Sequence, residues 1–111
     1  MLPVSARALL PPFREKNIEL TVDPHQERNY RVGMQAGATL VYAWSTRHRG
    51  DVLSCDCPGQ ETNSATEGHT AFEARSSGWY RWRWKNESDK PITLQLKLNG
   101  YYEEATLPYD R

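Results

Sequence analysis

The sequence predicts a single all-β domain, an antiparallel β-sandwich of about seven to eight short strands. Three observations carry this. Apolar residues recur at every second position in segment after segment, the period of a half-buried strand. Turn-forming residues separate those segments at close spacing. No stretch sustains the helical period over any length.

Residues 1–16 contain Pro11-Pro12 and read as an irregular N-terminal arm, in which SARALL offers one helical turn before the prolines stop it. The sandwich is expected over 17–107, with 108–111 as a tail. NIELTV puts Ile18, Leu20 and Val22 on one face, and Asp23-Pro24-His25 reads as a turn. ERNYRVGM groups Tyr30, Val32 and Met34. After a break containing Gly37, TLVYAWS groups Leu40, Tyr42 and Trp44. RHRG is a basic turn, and DVLSCDC then places Leu53, Cys55 and Cys57 on one side. Residues 58–68, PGQETNSATEG, have no apolar side chain larger than Ala65 and read as a long, mobile polar loop. HTAFEA, GWYRWRWK and ITLQLKL supply the remaining strands. Asn99-Gly100 fits either a tight hairpin or a bulge in a continuing strand.

The chain has 111 residues, enough for one hydrophobic core. Hydrophobic residues make up 38%, and the mean hydropathy is −0.80, so aliphatic material is thin. The rings compensate (Trp 4, Tyr 6, Phe 2), because each buries a large area. Fourteen basic residues balance fourteen acidic ones, which excludes bulk attraction to nucleic acid. No apolar run approaches the roughly 20 residues of a membrane helix. The opening MLPVSARALLPPF is too short and too broken by proline to serve as a signal peptide. Cys55 and Cys57 are one residue apart, a spacing that strains a disulfide, so none is expected.

Trp79 to Lys85 carries the strongest signal. In a strand, Tyr80, Trp82 and Trp84 share one face, and Trp79, Arg81, Arg83 and Lys85 share the other. The first set is expected in the core, against Leu94, Leu96 and Leu98. The second set is either a solvated strand face, the usual fate of such residues, or a docking surface. In the docking reading Trp79 is the anchor, with Arg81, Arg83 and, from a neighbouring strand, Lys97 as the binding residues. The balancing acids are expected elsewhere, at Glu61, Glu67, Glu103 and Glu104.

Other chemistry finds little support. Cys55 and Cys57, with His69 nearby in sequence, offer a soft-metal site for copper or zinc, but CxC alone is weak and burial as small hydrophobes is the plainer reading. No nucleophile-elbow, zincin or phosphate-loop motif is present. His25, His48 and His69 each sit in or beside an expected turn. Glu103-Glu104 point apart in an extended tail and make no glycosidase pair. Arg49-Gly50-Asp51 and the glycosylation-like Asn86-Glu87-Ser88 read as turn chemistry.

The succession PPF, IELTV, GATLVYAWS, GWYRWRWKN and PITLQLKLNGYY resembles the extracytoplasmic β domain of small bacterial proteins described as transmembrane anchor proteins. GATLVYAW (Gly37 to Trp44) and the W-K-N at Trp84 to Asn86 are its most specific pieces. More remotely, the chain is similar to GOLD-type β-sandwich domains, so the sandwich is expected to be jelly-roll or GOLD-like. The chain departs from the anchor family where Pro58-Gly59-Gln60 replaces an HGE motif and Tyr80 replaces a second histidine. An activity carried by those histidines is absent here. The cysteines fall where relatives carry apolar rings, which favours burial. The resemblance implies a periplasmic or extracytoplasmic location. The resulting expectation is a non-catalytic accessory module without a cofactor. It would dock an envelope protein or an anionic membrane surface through the cationic face. A carbohydrate-binding module and a metal-handling domain using Cys55 and Cys57 are the alternatives. An exposed coplanar pair of rings would favour sugar binding.

Overall fold

The structure, a computed structural model, describes residues 13–102 and 104–106. The expected arm therefore lies outside the described residues up to position 12, as do Glu103 and the tail 108–111. Nine strands follow in chain order: β1 (Phe13–Val22), β2 (Glu27–Met34), β3 (Thr39–Thr46), β4 (Leu53–Asp56), β5 (Asn63–Ala65), β6 (Glu67–Glu73), β7 (Gly78–Lys85), β8 (Ile92–Tyr101) and β9 (Glu104–Thr106). They form an antiparallel sandwich of two sheets, ordered β1-β8-β3-β6 and β5-β4-β7-β2-β9. For the first eight strands this is the jelly-roll order, in which successive strands alternate between the sheets except at the β4–β5 pair, and the first and eighth lie side by side.

Period-two patterning decides which side chains enter the space between the sheets. Along β8, Ile92, Leu94, Leu96 and Leu98 are buried and alternate with partners that face out. Along β7, Trp82 and Trp84 are fully buried. They meet the opposite sheet edge-on. The ring centroids of Tyr42 and Trp82 are 5.1 Å apart, those of Trp44 and Trp84 6.1 Å, and those of Phe72 and Tyr80 5.0 Å. The indole N–H groups of Trp44, Trp82 and Trp84 are buried without a partner among the described residues. Each costs about 1–3 kcal/mol. Burying a ring of about 200 Å² at roughly 25 cal/mol per Å² contributes about 5 kcal/mol, so burial outweighs the lost hydrogen bond.

Several expectations are revised. Residues 13–16, assigned to the arm, open β1 instead, and Phe13 pairs with Tyr101 in register. This end of β1 shows no alternation because all of its side chains are exposed at a sheet edge. The loop 58–68 is not wholly irregular: β5 adds to the edge of β4, with Ser54 opposite Ser64. Asn99-Gly100 makes neither a hairpin nor a bulge. It continues β8 in unbroken register with both β1 and β3. Gly100 is required by close approach, since a Cβ there would fall 2.7 Å from Leu40 Cα. His69 lies within β6 rather than at a turn.

The cysteine expectation is overturned outright, because the sulfurs of Cys55 and Cys57 are joined as a disulfide. Both side chains are buried, and Cys57 lies just past the end of β4. There the Cα–Cα separation is 5.7 Å, within the range a disulfide spans.

Asn86 holds the far end of the sandwich. It is fully buried, and its Nδ2 donates to the carbonyls of Val22 at 3.0 Å and Lys90 at 2.7 Å. Its Oδ1 accepts from the Ser88 N–H at 2.9 Å and hydroxyl at 2.7 Å. The side chain thus closes the 86–90 turn and ties it to the end of β1, with no atom left for a glycan. Asp51 is also buried and pairs with Lys90 Nζ at 2.9 Å, so Arg49-Gly50-Asp51 presents no free aspartate.

Two consequences can be measured. Trp82→Ala should cost about 3–5 kcal/mol in denaturant unfolding, whereas Trp79→Ala, at a half-exposed ring, should cost well under 1 kcal/mol. Equal losses would contradict the assignment of faces. Burial, with a smaller contribution from Tyr102, pushes the Tyr30 phenol up from 10.0 to about 12, and burial also raises Tyr42. A raised folded-state value means that this part of the stability is intact below pH 10 and is lost as pH climbs from there through about 12. Unfolding midpoints measured across that window should fall, and a flat profile would contradict the burial.

Candidate interaction surface

The outer face of the β5-β4-β7-β2-β9 sheet is set by the same parity that buries Trp82 and Trp84. Trp79, Arg81, Arg83 and Lys85 of β7 lie opposite Gly33, Arg31, Asn29 and Glu27 of β2. Trp79 is 49% exposed. Its ring lies across Gly33, where an added Cβ would come within 3.4 Å of the indole. The Arg31 guanidinium stacks over the same ring, with Cζ 4.3 Å from the centroid.

The charges on this face fall into two zones. Arg83 is already engaged, with Nη2 3.2 Å from Asp56 and Nη1 3.9 Å from Glu27. A depression of about 350 Å³ lies here, lined by Glu27, Ser54, Asp56, Thr62, Arg83 and Lys85. Arg31 and Arg81 face each other directly across the β2–β7 ladder. Neither forms an ion pair with another described side chain, although β9 sets Glu104 opposite Gly33 on this same sheet, one row from Arg31, and not elsewhere as expected. Like charges directly opposite in a sheet are destabilising.

Of the residues singled out in the sequence, Trp79, Arg81 and Arg83 are brought together. Lys97 is not. It lies on β8, in the other sheet, opposite Asn17 and Ala43. Its outward face is therefore on the far side of the sandwich. The jelly roll sends β7 and β8 to different sheets, so they are not neighbours. Arg31 is the residue that the sequence reading missed. Its outward direction follows from the inward set Tyr30, Val32 and Met34. Its place beside Arg81 depends on the long-range pairing of β2 with β7.

The metal reading loses its ligands. Both sulfurs are in the disulfide, and the exposed His69 sits on β6 in the other sheet. Among the described residues no three His, Cys, Asp or Glu side chains converge. Among the described residues the exposed rings do not form a sugar platform either. Phe13 and Tyr101 meet at 71°, not coplanar, and Trp79 is on the other sheet. His25 pairs with Asp89 at 2.8 Å. Among the described residues no helix is long and apolar enough to cross a membrane.

This geometry defines the class: a jelly-roll, or double-stranded β-helix, sandwich whose interior is filled by rings and whose charged chemistry lies on an outer sheet face. No family profile matches the chain, and no curated protein sequence does. Solved structures match the fold. A de novo designed double-stranded β-helix is 20% identical, with a TM-score of 0.52 over 75% of this chain and 97% of its own. PliG of Aeromonas hydrophila, a periplasmic inhibitor of g-type lysozyme, is 12% identical, with a TM-score of 0.58 over 79% of this chain and 87% of its own. The mitogen derived from Yersinia pseudotuberculosis is 15% identical, with a TM-score of 0.55 over 90% of this chain and 91% of its own. The comparisons place the fold with double-stranded β-helices rather than specifically with GOLD or transmembrane-anchor domains.

The unneutralised pair gives a stability signature. Arg81→Glu should raise stability by about 0.2–1 kcal/mol, because it replaces repulsion from Arg31 by attraction. A lowered thermal midpoint would show that the two guanidinium groups do not oppose each other.

Proposed function

We propose that this chain is a non-catalytic accessory module of the bacterial cell envelope. It docks a protein partner through the outer face built by Trp79, Arg31, Arg81 and Arg83. One observation carries the reading: a half-exposed tryptophan is held in place by a stacked arginine, beside a second arginine with no acidic partner among the described residues. A solvated strand face gains nothing from placing two like charges opposite each other, whereas a docking face regains that cost when an acidic surface arrives. Aromatic and arginine side chains are also the commonest anchors of protein interfaces.

A membrane surface is the weaker choice of partner. Attraction to anionic lipid is worth about 1 kcal/mol per exposed basic residue, and this face offers few uncompensated ones. Glu27 and Asp56 lie on the same sheet, and the chain as a whole is neutral. The extracytoplasmic location is supported by the disulfide, which persists in oxidising compartments. It is also supported by the periplasmic setting of the Aeromonas inhibitor, whose named activity is exerted on another protein. Fold likeness alone does not transfer that activity.

The test is site-specific photo-crosslinking in intact bacteria. A photoreactive residue at position 79 or 81 should give one discrete adduct, and the same residue at position 97 on the opposite sheet should give none. Equal labelling from both faces, or no adduct from position 79, would remove the docking surface.

A further inference from the structure

We infer that Arg31 and Arg81 form a two-armed receptor for a single carboxylate, that of an aspartate or glutamate on the partner protein, with Trp79 as the apolar wall beside it. This rests on the docking reading above and names the partner's chemistry. Side chains directly opposite in an antiparallel ladder start about 4.5–5.5 Å apart at Cβ, so both guanidinium groups can reach one anion. Each presents planar donors matched to a carboxylate's two oxygens. Arg31 does not have to be ordered on binding, since its head is already stacked on Trp79, which in turn lies across Gly33.

The surroundings select a single charge over a dense one. Glu27 and Asp56 hold the adjoining depression, so a continuous layer of phosphates would be repelled there. An isolated acidic side chain seated at the Arg31–Arg81 end avoids them, and its methylene stem meets the exposed half of Trp79.

The probe is the peptide acetyl-Leu-Glu-Leu-amide, titrated into the full isotope-labelled chain and followed by the Trp79 indole N–H and the arginine Nε–H signals. The glutamine version of the peptide should bind at least about fivefold more weakly. Arg31→Gln and Arg81→Gln should each weaken the glutamate peptide by a similar factor, and Arg31→Lys by less. Arg47→Gln, just past the end of β3 in the other sheet, should change it by less than twofold. Equal affinity for the two peptides, or no response at Trp79, overturns the receptor. So does a response to phosphatidylglycerol vesicles that depends on the same arginines when the peptide gives none. The outcomes are separable from the docking test. A crosslinked partner at position 79 with no glutamate preference removes the receptor and keeps the face. A glutamate preference without any crosslinked partner removes the docking face, and with it the assignment of the carboxylate to a partner protein.

Discussion

The two sheets are held in register by rings that meet edge to edge across the interior. Tyr80, Trp82 and Trp84 stand two residues apart on β7, and each reaches a ring on the facing sheet. This contact set carries unusual weight because the chain has few aliphatic residues to spare. It is also directional. Edge-to-face pairs reward one relative placement of the sheets, whereas a core of leucines would tolerate sliding. Three indole N–H groups are buried without a partner among the described residues, a cost that the area of the rings covers.

The outer face follows from the same parity. If Trp82 and Trp84 turn inward, Trp79, Arg81 and Arg83 must turn outward. What the sheet adds is a distinction among those cations. Arg83 belongs to a local charge network with Asp56 and Glu27, while Arg81 stands against Arg31. Local rules of sheet design disfavour that last pairing, and such departures concentrate where a surface serves something other than folding.

The direction of side chains was legible in the sequence wherever one face of a strand is buried and the other wet, as in β2, β3, β7 and β8. It failed at the start of β1, where an edge leaves both faces exposed and the alternation vanishes. It failed for β5, whose short, polar sequence has no inward face to announce it. Sheet membership was harder, because neighbours in sequence are separated in space. The chain's order suggests that β7 and β8 lie together, but the jelly roll sends them to opposite sheets, and Lys97 goes with β8. Arg31 entered the site by the same route, from a strand nearly fifty positions upstream of β7. The disulfide was missed because ideal strand spacing was assumed at Cys57, which lies beyond the strand's end.

One topological feature bears on how the protein is made. Phe13 is paired with Tyr101, so the sheet that contains β1 cannot close until almost the last described residue is available. A chain emerging from the ribosome can assemble no complete half of this domain in advance. Contacts this distant in sequence slow folding and leave hydrophobic strands open to wrong partners in the interval. The molecule should therefore depend on holding factors during synthesis or transport more than a helical protein of equal length does.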